Sequence, residues 1–211
     1  MNYGVCPQIA ERERMQNLFD SAFVKNDSNM MREQYKALRS FEFDCNFDFK
    51  PQSVNISAVA ENISAACDAV AAPLGVSFIY CGNQSSPVSG NRRLISKALL
   101  NLLSNAYLYG SGSLVTVKTV EMQDFVRLEV QSGGMFLCEN EKGRGLSFVR
   151  RVCVRHGGKF FIESDVLYSR AVMILPKSRG VEKPAQSADF ITLITDRLSP
   201  VYVEFFGMEY H

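Results

Sequence analysis

Asn101-Leu102-Leu103-Ser104-Asn105-Ala106 closes an apolar helical run, and about forty residues on Gly143-Arg144-Gly145-Leu146-Ser147-Phe148-Val149-Arg150-Arg151-Val152 leads into His156-Gly157-Gly158. In the first stretch Leu94, Ile95, Ala98, Leu99, Leu102, Leu103 and Ala106 recur at spacings of three and four, which predicts a helix ending near Gly110. Asn101 and Asn105 are four apart and share one face of it. Two amides on an apolar face need partners, since a buried unsatisfied amide costs about 1–3 kcal/mol. Phosphate oxygens and a hydrated Mg²⁺ would serve, and so would backbone at a core edge. In the second stretch Gly143 and Gly145 open a predicted helix over roughly 145–155. Free N–H groups and the dipole at such a start favour anions, although glycine also simply opens helices. Arg144 adds positive charge there. His156 falls where Gly157 and Gly158 stop the helix, and reads as structural.

Outward from these stretches the chain alternates helical and strand periods. Ile9 to Phe23 and Met31 to Leu38 predict a helical hairpin, with Lys25-Asn26-Asp27-Ser28-Asn29 as its turn. Phe41, Phe43, Cys45, Phe47 and Phe49 alternate with polar residues and predict a strand ended by Lys50-Pro51. Helical text runs from Val54 to Val70, capped at Asn55 or Ser57 and stopped by Pro73 and Gly75. Val76 to Tyr80 predicts a strand and Gly82 to Gly90 a polar loop. Leu114–Val120 pairs with Phe125–Val130 through Met122-Gln123-Asp124, and Lys159–Glu163 pairs with Arg170–Leu175. Adjacent paired strands imply antiparallel contacts. The fold class expected is α/β (α+β): a two-layer sandwich with a mixed, mostly antiparallel sheet covered on one face by helices, preceded by a short helical hairpin.

The 211 residues carry a net charge of +1, which argues against bulk electrostatic binding of nucleic acid or an acidic membrane. No apolar stretch reaches the roughly 20 residues of a membrane span. Met1 to Arg14 lacks the apolar core of a signal peptide, so a cytoplasmic location is expected. Cys6, Cys45, Cys67, Cys81, Cys138 and Cys153 are scattered, without a C-x-x-C pair, and read as reduced thiols with no metal role.

The two stretches together resemble the ATP-binding domain of sensor histidine kinases, related to the gyrase-type ATPases. The resemblance covers about residues 41–176. It implies ATP and Mg²⁺ as cofactors, with Asn105 as the Mg²⁺-coordinating asparagine and Asn101 where related ATPases carry a catalytic glutamate. Tyr109 also fits, while Leu108 stands where a phosphate-binding lysine is common. Gly143, Arg144, Gly145 and Leu146 match the second glycine box, with Glu141 in place of an earlier glycine. Val130-Gln131-Ser132-Gly133-Gly134-Met135-Phe136 stands at the family's Asp-x-Gly-x-Gly motif. Ser132 takes the place of the aspartate that accepts the adenine amino hydrogen, Gly134 keeps one glycine, and Phe136 replaces the other. Met135 to Lys142 is too short for the usual nucleotide lid. No histidine precedes His156, so the phosphoacceptor is absent.

The resemblance divides the chain into a helical hairpin over 1–40, the ATPase domain over 41–176, a linker over 177–187 and an extension over 188–211 that packs on the domain. The hairpin reads as a relic of the phosphoacceptor hairpin that can pair two copies of the chain. The function implied is a pseudokinase-like interaction module of bacterial two-component signalling, degenerate in ATP binding. Its partner would be a response regulator, another kinase or a sigma/anti-sigma-type regulator. Two alternatives stand beside it. One is an active ATP-binding kinase acting in trans on a histidine or serine of a partner protein. The other is a fold remnant with a structural role in a complex.

Overall fold

The computed structural model describes residues 17, 51–134, 144–179, 193–194, 201 and 205. The predicted hairpin over 1–40, the strand over 41–49 and the segment Met135 to Gly143 lie outside the described residues, apart from helical Asn17. One compact unit comprises Lys50–Phe205.

A short strand, β1 (Gln52–Asn55), opens this unit and runs into helix α1 (Ile56–Ala71). Asn55 caps α1, accepting the Ala58 N–H at 3.3 Å. Its side chain also accepts the Ser86 N–H at 3.2 Å, so one amide ties the helix start to a distant loop. Ile56, Val59, Ala60, Ile63, Ala66 and Cys67 form the buried stripe of α1. Pro73 follows in a 3₁₀ turn, Ala72–Leu74, and Gly75 takes φ +81°, the left-handed stop expected of it.

Strands β2 (Ser77–Cys81) and β3 (Pro87–Gly90) lead to helix α2 (Arg92–Tyr109). Asn91 caps α2, accepting the Leu94 N–H at 3.1 Å. Gly110 ends it, its N–H donating to the Ala106 carbonyl at 3.0 Å. Strands β4 (Leu114–Glu121) and β5 (Phe125–Gly133) form a hairpin. Helix α3 (Arg144–Arg155) and the hairpin of β6 (Lys159–Ser164) and β7 (Tyr168–Pro176) complete the domain.

The main sheet has the order β2-β4-β5-β7-β6, with β2 parallel to β4 and every other pair antiparallel. Along β4, β5 and β7 alternate residues are sealed: Val115 and Val117, Val126, Leu128 and Val130, Ala171, Met173 and Leu175. They meet the apolar stripes of the helices, Leu99, Leu102 and Leu103 of α2 and Val149 and Val152 of α3. This is the expected two-layer sandwich. On the other face of β5, Arg127 and Arg170 grip Glu129 at 2.7 and 3.3 Å and Glu163 at 3.3 and 3.2 Å.

Two elements depart from the sequence reading. Gln52–Asn55 is a strand rather than the start of the helix, and Pro87–Gly90 is a strand inside the expected loop. They pair antiparallel with each other in a separate two-stranded sheet. Neither carries a period-two signal. Each exists because the other supplies its hydrogen bonds across more than thirty residues of chain. Beyond Arg179 the described residues Leu193, Ile194, Val201 and Phe205 are helical. Phe205 is sealed, with its ring edge-on to Phe78 at 5.7 Å and to Tyr107 at 5.6 Å. No helix among the described residues is long and apolar enough to cross a membrane.

Candidate functional site

The apolar stripe of α2 turns Asn101 inward, and the residue is 3% exposed. Its Nδ2 is buried without a hydrogen-bond partner. Asn105, one turn on, is half-buried. The start of α3 lies against both: a methyl group placed on Gly145 would stand 3.4 Å from Asn101 Oδ1 and 3.8 Å from Asn105 Nδ2. Two distant sequence stretches thus meet through the pair of amides and a residue without a side chain. Leu146, the next residue, is buried and anchors this turn of α3. Arg144 begins the helix, and its side chain lies outside the description, as does all of Gly143.

From Asn105 the helix runs on to Tyr109, which is 43% exposed, and to Gly110. Gly110 reaches the end of β5, where an added Cβ would lie 3.3 Å from both Cβ and Oγ of Ser132. Ser132 is 4% exposed and sits in register between Val115 and Ser169. The Ser111 N–H donates to the Gly133 carbonyl at 3.0 Å. Gly134 takes φ +77°, and a Cβ there would come within 2.8 Å of Ser111 Oγ. That close approach over a left-handed residue requires glycine. Ser111 was not among the sequence-predicted residues. The run Gly110-Ser111-Gly112 was the signal, since small residues in series allow two backbones to approach.

The structure therefore brings Asn101, Asn105 and Gly145 together, and leads through Tyr109 and Gly110 to Ser132 and Gly134. The chemistry of the amide cluster is of the kind that phosphate and Mg²⁺ can use. Asn105 carries an amide oxygen, the ligand type Mg²⁺ prefers, and Asn101 Nδ2 is a buried donor without a partner. Among the described residues, β5 brings no carboxylate to the Ser132 end. Glu129 is the one acidic residue of β5, and it is held by Arg127 and Arg170 on the opposite face of the sheet.

His156 lies outside this cluster. Its Nδ1 meets the Val152 carbonyl at 2.7 Å, and its Nε2 accepts the Asn91 N–H at 2.9 Å. The two bonds fix the neutral tautomer with the proton on Nδ1. Burial holds the imidazole below its ordinary pKa, against the raising effect of the Val152 bond. The ring joins the end of α3 to the start of α2, which is the structural role expected of it. Among the cysteines described, Cys67 and Cys153 are buried, Cys81 is exposed, and all three are free thiols. Burial pushes Cys153 up to about 12, so its thiolate is not available at neutral pH.

A five-stranded mixed sheet under helices in this order is the fold of histidine kinase ATP-binding domains. Comparison with known proteins agrees. The chain is 28% identical over 131 residues to the sensor histidine kinase CusS of Escherichia coli O6:H1, covering 52% of this chain and 27% of that kinase. It therefore spans about a quarter of the length of that relative. The ATP binding domain of PrrB from Mycobacterium tuberculosis superposes with a TM-score of 0.53 at 23% identity, over 63% of this chain and 99% of that one. The histidine kinase ThkA, solved in complex with the response regulator protein TrrA, superposes at 0.58 with 16% identity, over 81% of this chain and 60% of that one. No family model matches the chain.

Proposed function

We propose that this chain acts in bacterial two-component signalling as a pseudokinase-like interaction module whose nucleotide site holds its phosphate end and is weakened at its base end. One observation carries the reading. Ser132 stands at the inward end of β5 where the related domains place an aspartate, and the only carboxylate of that strand is committed to the other face. A neutral hydroxyl forms hydrogen bonds roughly half as strong as a charged acceptor does. Losing the charged partner weakens nucleotide binding by about tenfold or more. The partner in this reading is a response regulator, another kinase or a sigma/anti-sigma-type regulator, and the N-terminal helices pair two copies of the chain. The complex of ThkA with a response regulator supports the first of these partners.

A second reading keeps the chain as an ATP-dependent kinase acting in trans on a histidine or serine of a partner. The orphaned Asn101 Nδ2 favours it, because a buried donor without a partner is a group that an anion would satisfy. In both readings Asn105 holds Mg²⁺, Asn101, Gly145 and the N–H groups around Gly143 and Arg144 take phosphate, and Tyr109, Ser132 and Gly134 border the base. Calorimetric titration with ATP and ADP, with and without Mg²⁺, tests the choice. Weak binding accords with the interaction module. Micromolar, Mg²⁺-dependent binding that Asn105→Ala abolishes would overturn it in favour of the kinase.

A further inference from the structure

We infer that the edge strand β6 is a docking surface for a second copy of this chain, which pairs with it antiparallel about Phe161. Strand β6 closes one end of the five-stranded sheet, and no described strand pairs with its outer side. The opposite end is blunted by a side chain. There Asp68 of α1 accepts the Phe78 N–H of β2 at 2.8 Å. On β6 the direction of the backbone groups follows from its hairpin with β7. The Asp165 N–H donates to the Tyr168 carbonyl at 2.8 Å, and the register then sets Glu163 on Arg170, Phe161 on Val172 and Lys159 on Ile174. Hydrogen-bonded pairs alternate in an antiparallel ladder, so Lys159, Phe161 and Glu163 direct their N–H and C=O groups at β7. Those of Phe160, Ile162 and Ser164 point away from the sheet. Phe160 is 6% exposed, with the Arg150 guanidinium over its ring at 5.9 Å, so the strand is anchored from its helix-side face.

The residues along this edge complement their own sequence. Lys159-Phe160-Phe161-Ile162-Glu163 carries a cation and an anion at equal distances from Phe161. Lys159, Phe161 and Glu163 share one face of the strand. Lys159 is exposed. Glu163 is held on that face by Arg127 at 3.3 Å and Arg170 at 3.2 Å, yet its side chain remains 42% exposed. Charges on an edge strand ordinarily keep other strands away. An antiparallel copy centred on Phe161 turns them into attraction. It sets Lys159 opposite Glu163 in both directions, Phe161 opposite Phe161, and Phe160 opposite Ile162. Phe160 and Ile162 are residues with outward backbone groups, so they exchange both hydrogen bonds. Lys159 and Glu163 fall in the non-hydrogen-bonded pairs, where side chains come closest. Centring on Ile162 instead sets Glu163 against Phe161. A two-fold axis through Phe161 thus satisfies charge and backbone together. An edge this short makes a small interface, so the association is weak and concentration-dependent.

Sedimentation of the full chain without nucleotide, from about 10 μM to about 1 mM, tests this. Lys159→Glu sets like charges opposite each other twice by symmetry, and is expected to weaken the association by about tenfold. Glu163→Lys should weaken it as well. An equimolar mixture of the two variants rebuilds both ion pairs between unlike copies, and should associate within about threefold of wild type. That rescue is what a role confined to the fold would not produce. Phe161→Cys in a Cys81→Ser background is a second test, which stands even if Glu163→Lys fails to fold beside Arg127 and Arg170. Mild oxidation should link copies through that position, since facing residues of a non-hydrogen-bonded pair lie within disulfide reach. A wild-type chain that stays monomeric throughout would overturn the inference. So would self-association that Lys159→Glu leaves unchanged, because the copies would then meet elsewhere. Linking of Phe161→Cys no faster than that of Ile79→Cys on β2, in the same background, would overturn it too. None of these outcomes depends on whether the chain binds ATP.

Discussion

Replacing Asn101 by Leu separates the duty of this residue in the fold from its duty in the site. Asn101 is 3% exposed and its Nδ2 has no partner. An unsatisfied buried amide donor costs about 1–3 kcal/mol in the ligand-free protein. Leucine branches at the same atom and carries no polar group, so Asn101→Leu removes that cost. Part of the gain is taken back, because the leucine methyls are wider than the amide and must fit a position that is 3% exposed. Such crowding costs about 1 kcal/mol. The net expectation is a gain of about 1 kcal/mol, or a melting temperature higher by roughly 2–4 °C for a body of this size. The chain has no tryptophan, so circular dichroism is the convenient signal for urea and thermal melts without nucleotide. Asn105→Leu is the control, expected to be near neutral because Asn105 is only half-buried. If Asn101→Leu lost more than about 1 kcal/mol, the amide would be partnered in solution and would serve the core edge instead. A variant that is more stable and binds ATP less well would show stability given up for a ligand.

His156→Gln is expected to lower stability by about 1–3 kcal/mol near neutral pH, through the loss of the imidazole that receives the Asn91 N–H. The folded-state pKa of His156 lies below the ordinary value, so the unfolded chain takes up the proton first as pH falls. The stability this group confers is present above the unfolded pKa of about 6.5 and is lost as pH falls through the folded one. The gap between wild type and His156→Gln should therefore shrink between about pH 7.5 and about pH 5.5. A gap that stays constant in urea titrations would contradict this. The glycines after α3 should part company. A Cβ on Gly158 would lie on the Ile174 carbonyl oxygen, so Gly158→Ala should cost about 3 kcal/mol or more. Gly157 has φ +70° with open space around it, so Gly157→Ala should cost about 1–2 kcal/mol from backbone conformation alone. Urea midpoints for the two variants check the order.

Much of the fold was legible because its elements announce themselves locally. Helix α2 has a stripe at three-four spacing and a terminal glycine, and the structure reproduces both, while its Asn91 cap came from the structure. The hairpins β4–β5 and β6–β7 alternate over short connections. What stayed hidden depends on partners far along the chain. Gln52–Asn55 and Pro87–Gly90 have no strand pattern and are strands only by virtue of each other. The bond from Asn91 to His156 spans 65 residues, and nothing at either end advertises it. In the site, the spacing of Asn101 and Asn105 showed that they share a face. That Gly145 lies over them follows from the packing of α3 on α2. Ser111 was missed because its role is a backbone contact, which side-chain chemistry does not display.

The two ends of the site are held by different means, and this explains why the fold reads more easily than the activity. Asn101 lies within the buried stripe of α2 with half-buried Asn105 one turn on, and Gly145 lies beside buried Leu146. A substitution there disturbs the junction of two helices. Ser132 is the last inward residue of β5, and its neighbours are glycines and a serine held by backbone contacts. Exchanging aspartate for serine at this position removes a charge and leaves the register with Val115 and Ser169 untouched. The base end can therefore change its chemistry while the sheet, the helices and the amide cluster remain as they are. On the proposed reading, a chain built this way can keep the spacing of its motifs while the chemistry of its base end changes. On that reading, the side chain at the end of β5 is the position to test first for activity.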